Sequence, residues 1–294
     1  MNKVSFIGLG NMGMPMALNL IKKKYKLNLY DIDKKLYKYF VKTDATPISE
    51  LNQLTDNSNV FITMLPDGKA LNRLVLGKEG IINTIKKNSI FIDCSSSDYN
   101  STIKVSRALY KKKVNFLDAP VSGGVYGAQN ASLTIMVGGS KSVFDKSKKI
   151  LNCIGKSVVY IGESGTGQIV KACNNMMLGI NMLGLCEAFL LAKKFGINPK
   201  KLFEICSNSS GSSWAMLNHL PIKGIVKNTA ANNNFIPGYA ARLILKDLKI
   251  SQEMAKSVKF NTKMSKKALE LYKKFCKIDK KNLDYTAIIK LLNK

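Results

Sequence analysis

The chain is poor in the side chains that most often carry polar chemistry. Among its 294 residues there is one histidine, His219. A histidine-based metal cluster is thereby excluded, and a Ser-His-Asp triad has a single candidate base. No metal site is expected. Of the 46 Lys and Arg residues, only Arg73, Arg107 and Arg242 are arginines. Arginine supplies the planar fork that reads phosphates and guanine edges, so a nucleic-acid surface is poorly served despite the net charge of +27. Lysine and asparagine are in joint excess. This reads as compositional bias on tolerant surface sites, with no specific nucleic-acid partner. The six cysteines, Cys94, Cys153, Cys173, Cys186, Cys206 and Cys276, include no CxxC pair, which argues against zinc ribbons and redox motifs. Their scatter predicts small buried hydrophobes in a reducing compartment. No signal or transit segment is read before the first apolar run, so a cytoplasmic location is expected. The most apolar long stretch, Met176 to Ala192, contains Asn181 and Glu187. It falls short of the ~20 residues of a bilayer span, so it is expected as a buried core helix with no membrane partner.

What is present is a regular alternation. Apolar runs at Val4–Ile7, Leu27–Tyr30, Asn59–Met64, Ser89–Asp93, Val114–Asp118, Leu133–Val137 and Val158–Ile161 read as strands, most of them separated by helix-length segments. Strands alternating with helices predict βαβ units and a mostly parallel sheet. After Gly162 the pattern turns helical: one long helix from Gly167 to Phe195 ends at Gly196, and Pro199 opens the next. The expected architecture is α/β, a Rossmann-type doubly wound sheet over 1–162 followed by an all-α domain over 163–294. The tail from Lys259 is read as a solvated helix that packs Leu269, Tyr272 and Phe275 on one face.

The first strand leads into Gly8-Leu9-Gly10-Asn11-Met12-Gly13, a GxGxxG turn that opens a helix. Gly8 permits the tight turn, Gly10 admits a pyrophosphate to the backbone, and Gly13 lets helix and strand pack closely. Asp31 ends the second strand, where a carboxylate binds the adenosine ribose and repels a 2′-phosphate. The turn, from Gly8 through Asn11 and Met12 to Gly13, together with Asp31 therefore predicts a bound dinucleotide, NAD rather than NADP. Lys34 and Lys35 lie close by and weaken that preference. At Ser122-Gly123-Gly124, a hydroxyl and exposed backbone N–H groups make a nest suited to a carboxylate. Lys171 and Asn175 are four apart and share a helix face. Ile169, Val170 and Ala172 around Lys171 predict a partly desolvated amine able to act as a base.

Met64-Leu65-Pro66, Asp118-Ala119-Pro120-Val121-Ser122-Gly123-Gly124, Gly167-Gln168-Ile169-Val170-Lys171 through Asn175, and Lys246-Asp247-Leu248 follow the Gly-rich turn in order. With Pro15-Met16-Ala17, they resemble the β-hydroxyacid dehydrogenase family over nearly the whole chain. The resemblance implies NAD-dependent oxidation of 3-hydroxyisobutyrate to methylmalonate semialdehyde, a step of valine catabolism, with Lys171 as general acid/base. It implies that Asn175 positions substrate and lysine. Leu65, Pro66, Ser96 and Lys246 are implied as cofactor contacts. A homodimer or homotetramer built through the helical domain is also implied.

Sister enzymes acting on tartronate, glyoxylate or succinate semialdehydes would share these motifs, and Ser209–Trp214 argues for the first substrate. A 6-phosphogluconate-type enzyme is disfavoured by length, by Asn174 where that branch has histidine, and by scarce arginine. A cofactor-binding module without catalysis, recruited to nucleic acid by charge, is disfavoured because Lys171, Ser122 and Asn175 are all present. Trp214 is expected either to cap a substrate pocket or to sit in the core; His219 is given no catalytic role.

Overall fold

The computed structural model describes residues 3–56 and 58–293; Met1, Asn2, Asn57 and Lys294 lie outside it. Short runs such as Val4–Ile7, apolar at successive positions, suit strands covered on both faces. Nine strands form one sheet: β1 Val4–Ile7, β2 Leu27–Tyr30, β3 Thr46–Pro47, β4 Val60–Thr63, β5 Ile90–Asp93, β6 Asn115–Asp118, β7 Val121–Ser122, β8 Leu133–Gly139 and β9 Gly155–Gly162. The order is β3-β2-β1-β4-β5-β6-β8-β7, with β9 beside β8. From β3 to β6 all neighbours are parallel, whereas β8 runs antiparallel to β6 and β7. The sheet is thus Rossmann-type and mostly parallel. β3 and β7, two residues each, have no counterpart in the sequence pattern because two residues cannot show a period.

The helices are α1 Gly13–Lys22, α2 Gln53–Asp56, α3 Gly68–Leu76, α4 Tyr99–Lys111, α5 Gly124–Gln129, α6 Lys141–Leu151, α7 Thr166–Lys194, α8 Pro199–Cys206, α9 Trp214–His219, α10 Ala241–Ser257, α11 Lys263–Ile278 and α12 Ile289–Leu292. Alternate strand residues serve opposite faces. Phe6, Ile62, Ile92 and Leu117 pack with Met16 and Leu20 of α1 and with Ile150 of α6. Ile7, Phe61, Phe91 and Phe116 pack with Leu71 and Val75 of α3 and with Val105 and Leu109 of α4. Helices therefore cover both faces. The parallel strand order reverses at β1, which lies between β2 and β4, so a crevice opens at its carboxyl end.

The chain divides into two compact units, Met1–Lys171 and Ala172–Lys294. The second is helical, around Met182, Cys186 and Phe189 of α7, Ile244 and Leu248 of α10, and Tyr272 and Phe275 of α11. Helix α7, 29 residues long, is by length and composition able to cross a membrane, and its buried side chains join the second core. One reading needs correction. All six cysteines are free, but only Cys94 and Cys186 are buried, and Cys173 is exposed.

β5 ends in Asp93, which is fully buried. Its Oδ1 accepts from Thr63 Oγ1 at 2.8 Å and Ser95 N at 3.1 Å, and its Oδ2 from Ser97 Oγ at 3.3 Å. Burial pushes its carboxyl up to about 6 against those hydrogen bonds. The folded protein therefore binds this proton more tightly than the unfolded chain, and the stability it contributes is lost as pH rises from about 4 through about 6. Urea unfolding at pH 4 and pH 7 should show Asp93→Asn losing less stability with rising pH than the parent, by roughly 2–3 kcal/mol; equal losses would refute this.

Candidate functional site

The Gly8–Gly13 turn leaves the carboxyl end of β1. Gly8 has φ +95°, and a Cβ there would lie 2.3 Å from Met64 O; one on Gly13 would lie 1.9 Å from Gly8 O. Both positions are closed to a larger residue. Gly10 is exposed and has nothing within 4 Å of where its Cβ would be, so the turn is shut on the protein side and open on the solvent side. That is the shape a pyrophosphate cradle requires. Asp31, half-buried at the end of β2, accepts from Leu9 N at 2.6 Å through Oδ2 and from Asp33 N at 2.8 Å through Oδ1. The acid and the turn are thus physically joined. Lys34 is turned elsewhere: its Nζ lies 4.2 Å over the Tyr30 ring and donates to Tyr37 Oη and Ser49 O, both at 3.2 Å.

The next strand ends lie side by side. Met64 N donates to Ile7 O at 2.9 Å, and Leu65 N donates to Ser95 Oγ at 2.8 Å. This brings Leu65, Pro66 and half-buried Ser96 onto loops at the same sheet edge as the turn. β6 ends in buried Asp118. It accepts from Gly165 N at 2.7 Å and Gln168 N at 3.1 Å, the amides that open α7. Burial pushes its carboxyl up, and these backbone donors oppose the shift. Gln168, 1% exposed, donates from Nε2 to Ser95 O at 2.8 Å and accepts at Oε1 from Ser97 N at 3.1 Å. The first turn of α7 is thereby bolted to the ends of β5 and β6. Lys171 follows Gln168 by three residues and is half-buried.

Ser122 closes the short β7, which pairs with β8 through Ser122↔Thr134. Gly123 and Gly124 have φ of +132° and +62°, are exposed, and lead into α5. Consecutive left-handed glycines make the concave N–H arrangement of an anion nest.

Asn175 lies one turn after Lys171 on α7. It is 3% exposed and forms a closed triad within the helical unit. Its Nδ2 donates to Asp247 Oδ2 at 2.6 Å and to Tyr239 Oη at 3.3 Å, and Tyr239 Oη donates to the same Asp247 oxygen. Its Oδ1 accepts from Asn174 Nδ2 at 2.9 Å. Burial, reinforced by Asp247, holds the Tyr239 phenol well above its ordinary range, so it stays a donor. Lys246 of α10 is half-buried, with Nζ 3.5 Å from Asp247 Oδ1. Asp118, Gln168 and Asp247 lie inside the sequence motifs and Asp93 ends a predicted strand, but no local pattern points to what they hold; Tyr239 carries no sequence signal.

Trp214 is 56% exposed and so is not core; its ring lies 4.8 Å from His219, which in turn lies 5.5 Å from Tyr285. Burial lowers the His219 pKa, with Asp284 opposing. Among the described residues, no group of three or more His, Cys, Asp or Glu could hold a metal. A cavity of about 310 Å³ lined by Val4, Tyr25, Val60 and Ile90 opens at the amino ends of the strands, the edge opposite the phosphate turn, and is not part of this site.

Comparison with known proteins matches this arrangement. Residues 3–162 fit a family model described as the NAD-binding domain of 6-phosphogluconate dehydrogenase. Residues 165–292 fit one described as the NAD-binding domain of NADP-dependent 3-hydroxyisobutyrate dehydrogenase. The mitochondrial 3-hydroxyisobutyrate dehydrogenase of Mus musculus is 37% identical over 98% of this chain and 86% of its own. NAD-dependent L-serine dehydrogenase of Pseudomonas aeruginosa is 34% identical over 100% of this chain and 98% of its own. A solved structure, Mycobacterium tuberculosis 3-hydroxyisobutyrate dehydrogenase with L-serine, superposes with TM-score 0.94 at 31% identity, covering both chains fully. An NAD(P) cofactor, hydroxyacid dehydrogenase chemistry and the Rossmann fold follow together, and the chain belongs to the β-hydroxyacid dehydrogenase family.

Proposed function

We propose that the protein oxidises 3-hydroxyisobutyrate to methylmalonate semialdehyde with NAD⁺, Lys171 serving as general base and, in reverse, as general acid. The observation that carries the reading is the anchoring of α7: Asp118 and Gln168 hold the helix of Lys171 against the sheet edge that bears the open phosphate turn. The bound nicotinamide supplies the hydride acceptor. Neutral Lys171 takes the hydroxyl proton, and Asn175 orients the exchange from one turn away. Ser122 Oγ with the Gly123 and Gly124 amides holds the carboxylate. Gly8, Gly10, Asn11, Met12 and Gly13 line the pyrophosphate; Leu65, Pro66, Ser96 and Lys246 complete the cofactor contacts. Asp31 faces the ribose and selects NAD over NADP, which is supported by the engagement of Lys34 with carbonyl and phenol oxygens.

L-serine is the second candidate, favoured by the similarity to the L-serine dehydrogenase of Pseudomonas aeruginosa and to the Mycobacterium tuberculosis enzyme solved with L-serine. The two substrates share a hydroxymethyl group beside a carboxylate-bearing carbon; one places a methyl where the other places an ammonium. A net charge of +27 favours the anion over the zwitterion at long range. Rates with both, and with tartronate, glyoxylate and succinate semialdehydes, decide among them.

Exposed apolar side chains on the helical unit, among them Leu191, Phe195, Ile197 and Ile205, support assembly as a homodimer or homotetramer. Light scattering at micromolar concentration should give a multiple of 32.5 kDa; a monomer mass would overturn the assembly.

Lys171→Ala should lower kcat by roughly 10²–10⁴-fold while NADH titration still shows binding. Retained turnover would remove Lys171 from the reaction. Asp31→Asn keeps an acceptor for Leu9 N but drops the charge. It should raise the kcat/KM ratio of NADP⁺ to NAD⁺ by about 10-fold, and an unchanged ratio would show that Asp31 does not select the cofactor.

A further inference from the structure

We propose that Asp247, together with Tyr239, is a positioning residue that locks the amide of Asn175 so that its carbonyl oxygen, and not its NH₂, meets the reacting groups. The inference rests on the dehydrogenase reading above. Asn175 Nδ2 has two hydrogens, and both are engaged, by Asp247 Oδ2 at 2.6 Å and by Tyr239 Oη at 3.3 Å. A flipped amide would set its oxygen against a carboxylate oxygen at that same short separation, acceptor against acceptor, in a buried site. Asp247 Oδ2 already accepts from both Asn175 Nδ2 and Tyr239 Oη, so the amide orientation is imposed by chemistry. Tyr239 completes the lock by donating to the oxygen that Asn175 reaches.

Asn175 Oδ1 accepts one hydrogen bond, from Asn174, and has a second lone pair left. The acceptor it offers suits a donor: the hydroxyl of a 3-hydroxy acid or an N–H of a protonated lysine. It does not suit a carboxylate, so carboxylate binding falls to Ser122 and the glycine amides. Asp247 touches neither substrate nor cofactor in this scheme; it acts through Asn175.

The test is a double-mutant cycle in kcat on the full-length protein, using Asp247→Asn, Asn175→Ala and their combination, with circular dichroism confirming the fold of each. Asp247→Asn restores freedom to the amide and should lower kcat roughly 10- to 100-fold with the KM for NAD⁺ little changed. In the Asn175→Ala background, the same substitution should change kcat by less than about twofold, because the group it orients is gone. A merely structural Asp247 would produce the same fold-loss in both backgrounds, and that result overturns the proposal, as does full kcat in Asp247→Asn. Should Asp247→Asn not fold, Tyr239→Phe takes its place in the cycle with a smaller expected loss and the same non-additivity. Absence of turnover by the parent protein on the hydroxy-acid panel overturns the dehydrogenase reading itself, whereas an active parent with an additive cycle overturns only the role of Asp247.

Discussion

The carboxylate of Asp118 governs the geometry on which the site depends. It sits buried at the end of β6, where an unpaired charge would carry a large desolvation cost. Two backbone N–H groups at the start of α7, from Gly165 and Gln168, offset that cost and place the negative charge where the helix dipole is positive. Gln168 then reaches back to Ser95 O and Ser97 N. A long helix would otherwise be free to slide or rotate; with its first turn capped by one strand and clasped by the loop of the next, the position of Lys171 follows from the position of the sheet. The phosphate turn hangs from the same sheet edge, at the end of β1, with β4 and β5 between it and β6.

Buried acids do the positioning in a molecule that is overwhelmingly basic. Against 46 cationic residues there are 19 acidic ones, and three of the buried ones order candidate residues: Asp93 organises the Ser95–Ser97 loop and Asp118 caps α7 in the first unit, and Asp247 holds Asn175 in the second. Asp93 and Asp118 are satisfied by neutral donors, amides and hydroxyls, whereas Asp247 takes neutral donors at Oδ2 and has Lys246 Nζ 3.5 Å from Oδ1. A neutral hydrogen-bond donor orients a carboxylate at a lower desolvation cost than a buried ammonium. The lysine surplus sits on the surface, where it shapes the long-range field and has little bearing on local geometry.

The sequence was legible where local pattern and chemistry coincide. Apolar runs bounded by Gly and Pro located seven of the strands, and the predicted 167–195 helix matches Thr166–Lys194 to within a residue at each end. The GxGxxG turn was readable because its first and last glycines answer a steric demand of strand-to-helix packing, seen in the approach of Gly8 and Gly13 to backbone carbonyls, while Gly10 leaves the solvent side open. The two-residue strands and the antiparallel placement of β8 were not legible, since they are set by pairing partners far along the chain.

By itself, the sequence determined the fold class, the dinucleotide turn and the lysine–asparagine pair, because period, glycine placement and i,i+4 spacing are properties of a local chain segment. Only the tertiary structure decided which groups those residues meet. Asn175 finds Tyr239 and Asp247, respectively 64 and 72 residues away, and Asp118 finds Gly165 and Gln168 at separations of 47 and 50. A hydrogen bond depends on distance and angle in space, and no local pattern encodes a partner that the fold brings in from another element.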